Sequence, residues 1–404
     1  MAEIASPAAE AGTQLGGLRR RWWALAATSL ALLLAGNVAL RKVWPPGVVL
    51  SWAGLTAAVL LIQLILLRRN LARNHRPDAA APGLLAGLGP GNLITLGRGL
   101  AIAAFAGFLA APLPLDERLA WAPALLYALG VLPDFLDGAL ARATNRVTVL
   151  GGILDMEYDS LAMLAVSVLA ARLGKVPAWY VILGLARYLF VIGLWWRSRR
   201  GRPIYDLTPS NTRRLAAGFQ MGFFCVALWP IFGPPATTIA GSLFVTPILV
   251  GFVRDWLVVS GALRPAAPGY QRAQRLAQAA AAWLPPFLRG VGGATALLIL
   301  LPALWLAGGW AAGLLAGVTL IGAAGVLLGA GARLGAIGLL IATCAALAQQ
   351  GFHPAHGLLL ASMIPLLYTG AGRAALWRGD DALFARRIGE PRDGGPVAQD
   401  GKRV

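Results

Sequence analysis

Residues 134–159, DFLDGALARATNRVTVLGGILDMEYD, place four aspartates within 26 residues of a chain that is otherwise apolar and basic. Asp134 and Asp137 are spaced i, i+3, and Asp155 and Asp159 are spaced i, i+4. On helices, each pair presents its carboxylates on one face. Gly138 and Ala141 are small enough to let a neighbouring helix come close. Two facing pairs form a four-carboxylate cage, and oxygen-only donors of this kind suit hard cations such as Mg2+, Mn2+ or Ca2+. The competing reading is an acidic loop in water. Phe135, Leu136, Leu140, Ile153, Leu154 and Met156, woven between the aspartates, argue against it. Arg142 and Arg146 offset part of the charge, but two arginines do not replace a divalent ion. Ionisable groups at a membrane edge are costly, which points to function.

The setting is a membrane. The 404 residues are 58% hydrophobic and 13% charged, with mean hydropathy +0.67, whereas soluble domains carry about 25% charge. Apolar runs recur at the roughly 20-residue length that crosses the hydrocarbon as a helix, and the alternation of a β-barrel is absent. The expected fold is all-α: a polytopic integral membrane protein with about twelve spans, near 22–39, 48–67, 97–112, 119–141, 150–172, 177–196, 213–232, 236–260, 288–306, 309–328, 334–350 and 356–371.

The net charge of +18 would suggest nucleic acid in a soluble protein. Here the arginines flank apolar runs, so a lipid bilayer is the expected partner and nucleic acid is not. With the N-terminus in the cytoplasm behind Arg19, Arg20 and Arg21, the outer loops hold only Arg41, Lys42, Arg118, Arg172 and Lys175, five of 35 basic residues. The inner loops hold the clusters, among them Arg68 to Arg76, Arg197 to Arg202, Arg272 and Arg275, and Arg373 to Arg387. This bias implies a multi-pass protein of the cell (inner) membrane, with both termini and the aspartates on the cytoplasmic side. The polar start before the first run reads as an uncleaved span rather than a signal peptide. Cys225 and Cys344 fall inside apolar runs and read as buried thiols with no disulfide framework.

Two Ala-, Pro- and Arg-rich stretches, 68–92 and 264–286, divide the spans as 2 + 6 + 4. The expected organisation is an N-terminal two-span extension with its linker (1–87), a six-helix core (88–262), a linker (263–286) and a C-terminal four-span unit with its tail (287–404).

Asp134-x2-Asp137-Gly138-x2-Ala141-Arg142-x8-Gly151-x3-Asp155-x3-Asp159 resembles the complete signature of the CDP-alcohol phosphatidyltransferases, with every fixed position at its spacing. Upstream, GNLITLGR is similar to that family's Asn-x2-Thr-x2-Arg segment, here Asn92, Thr95 and Arg98. The resemblance implies transfer of a phosphatidyl group from CDP-diacylglycerol to an acceptor alcohol with release of CMP. It implies two metals, Mg2+ or Mn2+, on Asp134, Asp137, Asp155 and Asp159, which would stabilise charge on the attacking and leaving oxygens. It makes Asp159 the general base as well. It gives Asn92, Thr95, Arg98, Gly138, Ala141, Arg142 and Gly151 to the CDP moiety, with Gly138 admitting the nucleotide to the backbone and Arg142 pairing with the diphosphate.

The expected acceptor is a water-soluble alcohol, with a neutral or zwitterionic one left open beside the phosphorylated ones. Arg202, Arg213, Arg214 and Arg254 gather near the same face, and VRDWLVVSGALR resembles the last helix of phosphatidylglycerophosphate synthases, with Asp255 in place of a glutamate. That favours a phosphorylated polyol, glycerol 3-phosphate first and inositol phosphate second. The sequence EYDSL, where lysine often follows the last aspartate in the family, weakens the first choice. An arginine such as Arg254 in an apolar helix needs an anionic partner, and Asp255 is adjacent. Arg187, inside a span, either lines the headgroup cavity or pairs with a carboxylate. His353 and His356 are too few ligands for a zinc site. The last four spans weakly resemble DoxX-like four-helix membrane proteins, with no motif anchoring the match. A homodimer is compatible with this organisation. The alternatives to a transferase are a cation-binding transporter and a non-catalytic membrane interaction protein.

Overall fold

The computed structural model describes residues 7–77, 83–207, 211–380 and 383. Among these it is all α-helical, with no β-strand. The helices are α1 (Pro7–Leu40), α2 (Pro46–Asn70), α3 (Gly89–Gly107), α4 (Ala122–Val131), α5 (Asp134–Ala143), α6 (Val149–Arg172), α7 (Val181–Arg199), α8 (Asn211–Ala227), α9 (Ala236–Val259), α10 (Pro268–Ala281), α11 (Leu284–Thr295), α12 (Leu301–Ala307), α13 (Gly309–Leu328), α14 (Ala332–Gln350) and α15 (Pro354–Thr369). Each of the twelve expected spans has a helical counterpart. Nine stretches among the described residues are long and apolar enough to cross a membrane. The three that fall short are α6, with its carboxylates, and the shorter α8 and α15.

Three expectations change. The span near 119–141 is two helices, because Leu132 and Pro133 separate α4 from α5; proline has no N–H to continue the ladder. The linker near 264–286 contains the helix α10. Cys225 and Cys344 are free but half-buried.

Helix ends sort into two sides. On one, Asn74 in the linker donates to Leu85 O and Gly87 O at 3.0 Å each, Val149 N at the start of α6 donates to His75 O at 3.0 Å, and Arg197 at the end of α7 bonds Ser260 O beyond α9. On the other, Arg172 at the end of α6 bonds Leu109 O and Ala111 O, and Lys175 bonds carbonyls of Trp229, Pro230 and Phe232. These pairings follow the alternation that consecutive spans require.

α3 is the axis of the molecule and packs against α2, α4, α5 and α6. Its buried face carries Asn92, Thr95, Arg98, Ile102 and Phe105. The second span packs on it, and the first packs on the second: from α2, Gln63 Nε2 donates to Gly99 O at 3.1 Å and Trp52 Nε1 to Ala104 O at 3.2 Å. α3 approaches α5 at Gly91, where a Cβ would sit 2.8 Å from Asp137 O and 2.9 Å from Ala141 Cβ. The small Ala141 thus admits α3. At the other end, α15 packs on α9, and Tyr368 donates to Phe244 O at 3.1 Å. In the last four spans, buried Arg289 donates to carbonyls of Val326, Leu327, Ala371, Arg373 and Ala374. Val326 and Leu327 lie in the last turn of α13, and the other three in the loop after α15, so Arg289 ties the two together. His353 and His356 cap α15 through Ala355 N and His353 N.

Candidate active site

The break after α4 sets the geometry. It makes Asp134 the first residue of α5 and puts Asp137 in the same first turn. A helix N-terminus favours carboxylates by about 0.3–1 kcal/mol each. Across from them, Thr148 caps α6 by accepting from Gly151 N at 3.0 Å, which starts the helix so that Asp155 and Asp159 fall on the facing side. The aspartates therefore stand about 9–15 Å inside the α5 C-terminus and the α6 N-terminus, from the 1.5 Å rise per residue. The site is recessed from the side where α5 ends and α6 begins.

Arg98 is the unexpected centre. Its Nη1 lies 2.7 Å from Asp134 Oδ1, 2.8 Å from Asp137 Oδ2 and 2.9 Å from Asp155 Oδ1, and its Nη2 lies 2.5 Å from Asp159 Oδ1. Its Nε donates to Gly130 O at 2.9 Å, at the end of α4. Thr95 Oγ1 donates to Asp137 Oδ2 at 2.9 Å. Asn92 Nδ2 donates to Thr148 Oγ1 at 3.1 Å, while its Oδ1 lies where a Cβ on residue 151 would be, so Gly151 admits it. Asn92, Thr95 and Arg98 thus form one buried row, spaced by three, that holds α5 and α6 together.

The accessibility of the aspartates is graded. The Asp137 side chain is 8% exposed and that of Asp155 42% exposed. The cage is therefore closed towards α3 and open on the far side. Carboxylate oxygens of Asp134, Asp137 and Asp155 lie within 4.8 Å of one another, whereas Asp159 joins them through the Arg98 guanidinium. The donor set is all oxygen, and four carboxylates against one guanidinium leave three formal negative charges. These residues fit a hard divalent cation. Gly138 faces the Arg142 guanidinium one turn later, 3.2 Å from where its Cβ would be.

The basic residues given to the acceptor are less uniform. Arg213 Nη1 lies 2.5 Å from Asp255 Oδ2, and Asp255 is buried. Arg254, its expected partner, is only at 3.8 Å through Nη1 and donates from Nε to Tyr270 Oη at 3.1 Å. Arg202 is exposed, and Arg214 is half-buried on α8. Arg187 pairs with Glu157 on α6 at 2.6 Å. Thr148 was not among the expected site residues, although a threonine at a helix start is a cap signal; Asp255 was expected only as the partner of Arg254.

Residues 90–253 match the CDP-alcohol phosphatidyltransferase family. Over 112 residues the chain is 33% identical to a protein named putative cardiolipin synthase in Mycobacterium tuberculosis and Mycobacterium bovis, covering 27% of this chain and 51% of that one. Over 73 residues it is 36% identical to the CDP-diacylglycerol–glycerol-3-phosphate 3-phosphatidyltransferase of Bacillus subtilis, covering 18% and 38%. The chain spans about half the length, or less, of the curated relatives it matches. No solved structure matches it. Residues 90–253, which carry the aspartate cage on α5 and α6, are thus similar to the CDP-alcohol phosphatidyltransferase family.

Proposed function

We propose that this protein transfers a phosphatidyl group from CDP-diacylglycerol to an acceptor alcohol and releases CMP. The observation that carries the reading is the convergence of Asp134, Asp137, Asp155 and Asp159 around one guanidinium, on the signature that the family match covers. The alcohol oxygen attacks the phosphorus that bears diacylglycerol. A new O–P bond forms, the bond to the CMP oxygen breaks, and CMP leaves with the electron pair. Asp159, one helical turn beyond Asp155, takes the alcohol proton. Asp134, Asp137 and Asp155, together with Asp159, would hold Mg2+ or Mn2+. The ions, when bound, neutralise charge on the diphosphate and on the attacking and leaving oxygens.

Arg142 over Gly138 faces the diphosphate. Asn92, Thr95, Ala141 and Gly151 shape the CDP side by fixing helix spacing rather than by presenting exposed donors. Arg98 does the same, as the fixed counter-charge of the cage. The acceptor carries a phosphate, and Arg213, Arg214 and Arg254 beside Asp255 receive it, with Arg202 further out. Glycerol 3-phosphate is the first candidate, by analogy with the Bacillus relative's name, and inositol phosphate the second. The mycobacterial relatives' name favours a second reading, in which the glycerol phosphate belongs to phosphatidylglycerol. The domain works in the cell membrane with its aspartates on the cytoplasmic side, where the clustered arginines lie. The spans before and after it are extensions, which meet the core through α2 on α3 and α15 on α9, and the chain is compatible with a homodimer.

The deciding experiment incubates the purified protein with CDP-diacylglycerol, Mg2+ and each acceptor in turn, and identifies the lipid product by mass. A product with glycerol 3-phosphate or phosphatidylglycerol selects between the two readings. Metal-coupled flux in liposomes without any CMP release would instead identify a transporter.

A further inference from the structure

Helix α10 takes no part in the aspartate site. Every residue from 271 to 279 is exposed, and Leu276 is 72% exposed. At 100° per residue, Gln271, Arg272, Gln274, Arg275 and Gln278 share an arc of about 160°, and Tyr270, Ala273, Leu276 and Ala277 face the other way. Such a helix has a polar face and an apolar face, and neither is covered by protein. Trp283, Leu284 and Phe287, which follow it, are also exposed.

Its charge is one-sided. From Trp256 to Gly379 the chain contains no aspartate and no glutamate. Two arginines of that stretch, Arg289 and Arg333, are buried against backbone carbonyls. Arg264, Arg272 and Arg275 have no carboxylate in the stretch to pair with. An amphipathic helix with arginines on its polar face, leading into exposed tryptophan, is built to lie in the plane of a membrane interface. α10 sits on the side where α9 ends and α11 begins, the side of the aspartate helices' open ends. It is tied to α9 there, because Tyr270 Oη accepts from Arg254 Nε at 3.1 Å, beside the Arg213–Asp255 pair.

We propose that α10 docks on an anionic lipid surface, with Leu276 and its alanines in the acyl boundary and Arg264, Arg272 and Arg275 on lipid phosphates. Lipid charge then orders the helix and, through Tyr270, the arginine beside Asp255. This does not rest on the aspartate site being a transferase, since the occupant is recognised by α10 and not by the cage.

The test is hydrogen exchange of peptides covering 268–281 in the full-length protein, reconstituted in nanodiscs of phosphatidylcholine with or without phosphatidylglycerol. Exchange slows about tenfold or more when phosphatidylglycerol is present. The difference vanishes in Arg272→Gln/Arg275→Gln and at high salt, while α3 and α13 exchange as before, which shows that the fold is intact. Equal exchange in both discs overturns the proposal, as does a lipid effect that survives in the variant. Protection by inorganic phosphate in phosphatidylcholine discs overturns the lipid surface as the occupant. Since nothing here reads CMP release, a failure of this proposal leaves the activity assay untouched, and the reverse holds too.

Discussion

Arg98 Nη2 donates to Asp159 Oδ1 at 2.5 Å, and the same guanidinium reaches Asp134, Asp137 and Asp155 through Nη1. One side chain on α3 therefore sets the distance between the carboxylate pairs of α5 and α6. Removing one partner of a buried ion pair costs about 3–5 kcal/mol. Arg98→Gln should lower the thermal midpoint measured in chelator-treated detergent. Mg2+ should recover more of that midpoint in the variant than in the wild type, because the variant's cage has more uncompensated charge. An equal shift in both proteins would remove Arg98 from the cage's charge balance.

Asp159 and Asp155 should separate by role. Asp159→Asn keeps three carboxylates and most of the volume, so Mn2+ still binds, as read by its electron paramagnetic resonance signal. CMP release should fall by about 100- to 10,000-fold, the usual contribution of a general base. Asp155→Asn should weaken Mn2+ binding as well as CMP release. An Asp159→Asn variant releasing CMP at the wild-type rate would count against its role as base.

Chelation should abolish CMP release, and Mg2+ or Mn2+ should restore it. The donor set is oxygen only, so the order of rescue follows hard cations. Activity that survives exhaustive chelation would contradict the metal reading of Asp134, Asp137 and Asp155.

Arg213 and Arg202 should differ. Arg213 is held by the buried Asp255 at 2.5 Å, whereas Arg202 is exposed. Arg213→Gln should raise the KM for the phosphorylated acceptor about tenfold, the effect of losing one charge-assisted contact of about 1.5 kcal/mol, with little change in the KM for CDP-diacylglycerol. Arg202→Gln should change either KM by less than about twofold, as exposed charges contribute little.

Arg289 tests the last four spans. Its five carbonyl partners lose a charged donor in Arg289→Met, and hydrogen bonds to charged groups contribute about 1.5–3 kcal/mol. The thermal midpoint should drop, while CMP release per folded molecule stays unchanged, because the carbonyls that Arg289 bonds belong to the C-terminal spans and not to the aspartate cage. A matching loss of activity would show that the C-terminal spans support the site.

The helices and the carboxylate pairs were legible in the sequence because both are local. An apolar run of span length must satisfy its own backbone bonds in lipid, and i, i+3 or i, i+4 spacing puts Asp134 with Asp137, and Asp155 with Asp159, on one face. The motif also singled out Asn92, Thr95 and Arg98, whose spacing of three reads as a single face of α3. What those three touch was not legible. Their partners lie 32 to 61 residues away for Arg98, and long-range pairing depends on how helices pack. The break after α4, the approach of α3 to α5 at Gly91, the choice of Arg213 over Arg254 by Asp255, and the packing of α2 and α15 on the core were decided by tertiary structure. The physical reason is the same in each case: side-chain type and spacing fix which face of a helix is polar, but only the packed neighbours decide which opposite charge, carbonyl or glycine stands in front of it.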